Sequence, residues 1–230
     1  MLHDVLKGAG VFLLDIVYPR HCSGCGALGV WLCDKCDGGL DLFGADCCPG
    51  CGIPWAFGIC RCEELPDAIE RVRSVGPYAG WLSGAVAQVK YHGEWARLDY
   101  LAPLLTRAIA DLLPADALVP VPLHASRRKQ RGFNQTEKIA VRLSEEIAVP
   151  VELALLRSRR TTPQVRLDGE GRQQNVLGAF AISPGHLVAG KRLILVDDVI
   201  TTGATLGECA QVLRAAGAAS VDVVTIAREL

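Results

Sequence analysis

The 230-residue chain has one methionine and few rings: five phenylalanines, four tyrosines and four tryptophans make aromatic residues 6% of the whole. Only Phe133 lies among the arginines that follow residue 126, which argues against a nucleic-acid surface built mainly on base stacking. Net charge is also missing. Twenty-four Lys/Arg oppose 25 Asp/Glu, a formal charge of -1, so total charge gives no argument for a polyanionic partner. Long apolar runs are absent. The apolar stretch 8–14 ends at Asp15, far short of the roughly 20 residues that span a bilayer. No small-residue cleavage site follows it. Residues 2–17 are therefore expected to form a short amphipathic helix packed on the protein, with the cytoplasm as the default location. No internal repeat or low-complexity stretch occurs. Half the residues are apolar and 21% are charged, the profile of an ordinary globular chain that is long enough for one sizeable core plus a small module.

The charge and the cysteines are both uneven along the chain. Residues 1–66 carry four Lys/Arg against eight Asp/Glu, and residues 123–172 carry eleven against six, with Arg127, Arg128, Lys129 and Arg131 bunched. A local basic patch of this kind suits a phosphate-rich ligand, although a solvated basic loop has the same composition. Nine of the ten cysteines fall between residues 22 and 62, as Cys22-x-x-Cys25, Cys33-x-x-Cys36, Cys48-x-x-Cys51 and Cys60-x-Cys62, with Cys47 as an extra thiol. A C-x-x-C turn aims two thiolates at one point, and two such turns complete a tetrahedron around Zn²⁺. Four pairs can close two Cys₄ sites. The sequential assignment is Cys22, Cys25, Cys33 and Cys36, then Cys48, Cys51, Cys60 and Cys62; interleaved ligation or a single occupied site would use the same residues. Disulfides are the rival and would need an oxidising compartment, for which no export signal is visible. Glycines 24, 26, 50 and 52 suit the tight turns of metal knuckles. Such closed sites are structural rather than catalytic. Cys209 shares a helical face with Leu206, Ala210 and Leu213 and reads as a buried structural thiol.

After Pro66 the pattern becomes α/β. Residues 72–78 read as a strand. Leu82, Ala85, Val86 and Val89, and then Trp95, Leu98, Leu101, Ala102, Leu105 and Ile109, mark amphipathic helices. Short strands are expected at 117–123, 149–153 and 179–182. A helix is expected at 136–147, a polar loop at 157–172, a buried strand at 192–196, a helix at 204–216 closed by Gly217, and a last strand at 221–227. Strands alternating with helices imply right-handed crossovers and a parallel sheet. The division is a Cys-rich module over 1–66 and an α/β domain over 67–230.

The chemistry concentrates at Leu193-Ile194-Leu195-Val196-Asp197-Asp198-Val199-Ile200-Thr201-Thr202-Gly203-Ala204-Thr205. A buried strand runs into two acids and then into a small-residue turn that opens a helix. Strand ends at the carboxyl edge of a parallel sheet are where ligands bind. Adjacent carboxylates can accept from the paired hydroxyls of a ribose, and Thr201, Thr202 and Thr205 offer hydroxyl donors. Gly203 lets the backbone approach closely, and the amides at a helix start favour a phosphate. The nearby Gly185-to-Arg192 segment almost spells a nucleotide P-loop, but it lacks the final Ser/Thr and precedes a strand instead of following one.

The 193–205 segment resembles the signature of type I phosphoribosyltransferases. Together with the four cysteine pairs, Val119-Pro120-Val121-Pro122-Leu123 and Arg131-Gly132-Phe133-Asn134-Gln135, it makes nearly the whole chain similar to the ComF family. Those proteins join a double zinc ribbon to a phosphoribosyltransferase domain and are associated with DNA uptake in natural competence. The resemblance implies a Rossmann-like fold that binds phosphoribosyl pyrophosphate with Mg²⁺. Asp197 and Asp198 would hold the ribose hydroxyls directly or through metal-bound water, and Val199, Thr201, Thr202, Gly203, Ala204 and Thr205 would hold the 5-phosphate. Ser126, Arg127, Arg128 and Lys129 would stand in the pyrophosphate loop, with Arg131 and Asn134 as alternative helix-capping and loop-positioning residues. Arg159, Arg160, Thr161 and Gln164 would lie in a mobile closing loop, for which a solvated linker is the plainer reading. Two functions are compatible: transfer of phosphoribosyl to an acceptor, or non-catalytic binding of the ligand with contact to single-stranded DNA or competence proteins.

Overall fold

A computed structural model describes residues 19–158 and 177–230, apart from the side chain of Gln130. The helix expected at 2–17 lies outside the described residues, as do Arg159, Arg160, Thr161 and Gln164.

Four strands form a parallel sheet: β1 (Val72–Pro77), β2 (Ala117–Pro120), β5 (Arg192–Ile200) and β6 (Ser220–Arg228). Their spatial order is β1-β6-β5-β2. β3 (Leu155–Arg157) and β4 (Phe180–Ile182) make a separate antiparallel pair. The helices are α1 (Asp34–Asp37), α2 (Gly80–Ala87), α3 (Leu98–Ala108), α4 (Ala125–Arg131), α5 (Gln135–Ile147) and α6 (Ala204–Ala215). A π-helical turn, Gln88–His92, extends α2.

β5 is apolar on both faces because both faces are covered. Leu193 and Leu195 pack with Leu206, Cys209, Ala210 and Leu213 of α6. Ile194 and Val196 pack with Leu101 and Leu105 of α3 and with Ile139 and Leu143 of α5. This three-layer arrangement is the α/β fold that the strand–helix alternation implies. The helix boundaries follow local chemistry. Asn134 caps α5, its side chain accepting from the Thr136 amide at 3.3 Å. Gly217, at φ 93°, follows α6.

Several elements differ from expectation, among them β2, which stops at Pro120, and β3, which was not expected. β5 continues four residues past Val196, because β6 keeps pairing with it through Ile200↔Arg228. The segment 149–153 makes only a bridge, Leu118↔Val151; Pro150 has no amide to extend a ladder. The basic segment after Leu123 is the short helix α4 rather than a loop. His124 is its N-cap, with Nδ1 accepting from the Ser126 amide at 3.2 Å.

The cysteines gather as the sequential assignment proposes. The thiols of Cys22, Cys25, Cys33 and Cys36 form one group and those of Cys48, Cys51, Cys60 and Cys62 the other, each within 4.8 Å. Within the groups, Sγ atoms lie 3.7 Å apart for Cys22–Cys33 and Cys25–Cys33, and 3.7 and 3.3 Å for Cys48–Cys60 and Cys48–Cys62. A zinc tetrahedron with Zn–S near 2.3 Å has edges of about 3.8 Å, whereas a disulfide needs about 2.05 Å. All ten cysteines are free, so the geometry suits metal and not cross-links. Burial works against ionisation of Cys22, but amides of Cys25, Cys33 and Gly24 bring it down to about 6. Cys36 is pushed up to about 12, first by its hydrogen bond with Cys33. A cation at the centre removes that conflict by stabilising every thiolate. Cys47 belongs to neither group, and burial raises its thiol.

The Cys-rich module is joined to the sheet edge by hydrogen bonds. The Phe43 amide donates to Val75 O and the Val72 amide to Gly50 O, both at 2.8 Å. The Arg228 guanidinium donates to Cys51 O. A glycine is required at position 24, where a Cβ would stand 2.7 Å from Cys36 Sγ.

We expect two zinc ions per chain, one for each thiol group. Gly24→Val should release one and leave the other, read by colorimetric zinc release from purified protein. Full retention of both ions would contradict the packing described.

Candidate functional site

The site arises where the neighbours of β5 end unequally. β2 pairs with β5 only as far as Pro120↔Val196, and the Val121 amide makes the last bond to Val196 O at 3.0 Å. Pro122 has no N–H to continue. β6 pairs onward through Asp197↔Thr225 and Val199↔Ala227. The end of β5 is thus held on one side and open on the other, at the carboxyl edge of the sheet where ligands bind in such folds.

Successive strand residues face opposite sides, so the two acids have different surroundings. Asp198 is 5% exposed and faces the side of α2 and α5. Lys90 Nζ lies 2.9 Å from its Oδ2 and 3.1 Å from its Oδ1, and Gln135 Nε2 donates to Oδ2 at 3.1 Å. Asp197 faces the α6 side and accepts the Asp198 amide at 2.8 Å. It has no salt bridge among the described residues. Burial, then the adjacent Asp198 carboxylate, push it up to about 7, with Lys90 and Arg157 opposing. Beneath it, burial and the Asp197 charge drive the Cys209 thiol well above its usual value; that cysteine is the inert core thiol its helical spacing implied.

Thr201, Thr202 and Gly203 lead from β5 into α6. Gly203 is the N-cap at φ 73° and brings no side chain to cap the helix. Thr202 Oγ1 lies 3.4 Å from the Ala204 amide. Directly behind, a Cβ at Gly207 would meet Pro66 Cγ at 2.5 Å, so the chain leaving the Cys-rich module braces this helix start. Of the basic segment, Arg127 acts electrostatically on Arg157, which Asp197 also faces. Arg157 stacks over Phe180 at 5.0 Å. Arg128 instead pairs with Glu137 at 3.1 Å. Ser126 Oγ lies 2.8 Å from His124 Nδ1, and Lys129 is exposed. Asn134 and Thr136 both donate to Val121 O, at 3.1 and 2.6 Å, fixing the carbonyl just before the Pro122 break.

Sequence reasoning missed Lys90 and Arg157, and it read Gln135 only as part of a motif. The contact from Lys90 to Asp198 spans 108 residues, and nothing local marks that lysine. It also missed rings. Tyr91, 58% exposed, lies under Arg131 at 5.3 Å. Trp95 packs edge-on against Phe133 at 4.1 Å.

These features define a class. Residues 105–230 match the family model described as "Phosphoribosyl transferase domain". The glutamine phosphoribosylpyrophosphate amidotransferase of Bacillus subtilis is 27% identical, covering 56% of this chain and 25% of that one, with a TM-score of 0.39. The narrower likeness covers most of the chain. The chain is 34% identical over 215 residues to the DNA utilization protein YhgH of Escherichia coli K12, 89% of this chain and 93% of that protein. It is 27% identical over 214 residues to the competence protein ComFC of Bacillus subtilis 168, covering 86% and 84%. The chain belongs to the ComF family of phosphoribosyltransferase-domain proteins. Among the described residues no helix is long and apolar enough to cross a membrane.

The raised Asp197 carboxyl makes the ligand-free fold pH-sensitive. The folded state keeps its proton up to about 7, while the unfolded chain releases it near 3.9. Stability therefore falls as pH rises through that window, because the folded state binds more protons than the unfolded one. Asp197→Asn should leave the melting temperature at pH 4 unchanged and raise it at pH 8, by about 2–4 °C for each kcal/mol relieved. An equal shift at both pH values would refute the assignment.

Proposed function

We propose that this chain binds phosphoribosyl pyrophosphate with Mg²⁺ and transfers the phosphoribosyl group to an acceptor, as the domain over 67–230 of a protein whose residues 1–66 form a zinc-stapled module. The observation that carries this reading is the open end of β5, where two carboxylates precede an N-cap with no side chain. Ribose hydroxyls donate to Asp197 and Asp198. The 5-phosphate lies against Val199 and the turn from Thr201 to Thr205, where helix amides and hydroxyls meet it. The unpaired carboxylate of Asp197 suits a hydrated cation nearby, and Mg²⁺ characteristically keeps waters and substrate oxygens as ligands. Bound there, Mg²⁺ would neutralise charge on the pyrophosphate. In the transfer, the bond from C1 to the pyrophosphate oxygen breaks, pyrophosphate leaves with the electron pair, and an acceptor nucleophile bonds to C1. Arg127 is the cation of the basic segment best placed for the leaving group, with Ser126, Arg128 and Lys129 along the same helix and residues 159–164 as the closing loop that excludes water.

The names of the relatives support a role in DNA uptake and use during competence. Free thiols throughout belong to a reducing compartment, and we assign the cytoplasm. A second reading, ligand binding without turnover coupled to single-stranded DNA or competence-protein contact, is favoured by one observation. The exposed Tyr91 ring under Arg131 sits beside the basic helix α4, combining a stacking surface with cations.

Calorimetry with Mg²⁺ and phosphoribosyl pyrophosphate should show binding, and pyrophosphate should be released when a competent acceptor is supplied; Asp198→Asn should abolish release. Absence of heat with folded, zinc-loaded protein would end this reading. For the second reading, affinity for an oligothymidylate should fall steeply with salt and drop again in Arg128→Ala/Lys129→Ala. Binding that ignores salt would remove it.

A further inference from the structure

The two acids differ most in what surrounds them, and Lys90 makes the difference. A carboxylate offers about four acceptor positions. Lys90 reaches both oxygens of Asp198 and Gln135 reaches Oδ2, which fills three of those positions and leaves one on Oδ1. Burying this acid without a cation would be costly. Lys90 and Gln135 together give the buried carboxyl its polar partners and fix its rotamer.

The turn that carries Lys90 is itself held at several points. It is a π-helical segment between α2 and Gly93, which has φ 67°. A wider turn of this type, often found at functional sites, redirects the residues that follow it. Gln88 O accepts the Glu94 amide at 3.3 Å. Glu94 pairs with Arg97 at 2.7 Å, and the fully buried Arg97 donates to His21 O and Ser23 Oγ, both at 2.9 Å. The Arg97 guanidinium also stacks on Trp31 at 4.7 Å. His21 and Ser23 flank Cys22. The turn is thus wedged between the sheet and the loop of the first thiol group.

Resting on the ligand assignment above, we propose that Lys90 is a positioning residue: it holds the Asp198 carboxylate oriented so that its one open lone pair faces a ribose hydroxyl. Lys90 acts through Asp198 and does not touch the ligand. The experiment is calorimetry of Mg²⁺–phosphoribosyl pyrophosphate binding to full-length, zinc-loaded protein as wild type, Lys90→Arg, Lys90→Met, Asp198→Asn and the Lys90→Met/Asp198→Asn double variant. Lys90→Gln stands in if Lys90→Met does not fold. Lys90→Met should weaken binding by about tenfold or more, as loss of a ligand-orienting partner does, and Lys90→Arg should restore most of it. The double variant should bind no worse than Asp198→Asn alone, since Lys90 acts only through the Asp198 carboxylate. Additive losses in the double variant would show direct contact and overturn the proposal, as would undiminished binding by Lys90→Met. If wild type itself fails to bind, the ligand assignment falls and the proposal with it; wild-type binding with an unaffected Lys90→Met sinks the proposal alone.

Discussion

The structure depends on an unequal ending. β5 is gripped on both sides up to Val196 and on one side beyond it. The cause lies in covalent chemistry: Pro122 has no amide, so β2 cannot follow. Had both neighbours continued, Asp197 and Asp198 would lie within a closed sheet, where two adjacent charges would cost more than the fold could recover. Had both stopped, the acids would sit on a loose segment. The half-open ending holds the backbone on one side and leaves the other edge open.

Placing two acids there creates an electrostatic problem, which the fold solves differently on each face. Asp198 receives a lysine and an amide and keeps one acceptor position on Oδ1. Asp197 receives no partner of that kind and holds its proton to about 7. One carboxylate has a cation from the protein, and the other has no salt bridge among the described residues. This asymmetry is cheaper than two internal ion pairs, each with its own desolvation cost.

Much of this was legible in the sequence where the signal is local. The cysteine spacing gave the correct thiol grouping because a C-x-x-C turn fixes two ligands by itself. The apolar run 193–196 gave the central strand, and the Gly203 turn gave the helix start. The cap role of Asn134 was also visible. What stayed hidden depends on partners far away in the chain. The extension of β5 is decided by β6, and the helical state of 125–131 by the His124 cap. Lys90 looks like any lysine on an amphipathic helix until α2 is laid across the sheet edge. The aromatic poverty that argued against a stacking surface was a count along the chain. Folding brings Tyr91 to Arg131 across about forty residues and puts Trp95 beside Phe133.

The Cys-rich module joins the same argument. It shares hydrogen bonds with the edge strand β1, meets Arg228 at the end of β6, and through His21 and Ser23 holds Arg97. Arg97 is fully buried, and a buried guanidinium is tolerated only while its donors are met. Glu94 takes Nε and Nη2, and the acceptors of Nη1 come from the loop that the first thiol group closes. A metal at Cys22, Cys25, Cys33 and Cys36 would therefore support more than its own knuckle. It would fix the carbonyl and hydroxyl that accept from Arg97 Nη1, and with them Glu94 and, through the backbone of Gln88, the turn that carries Lys90. A staple with no open coordination position can in this way shape an anionic site it never touches, by limiting where one lysine can stand.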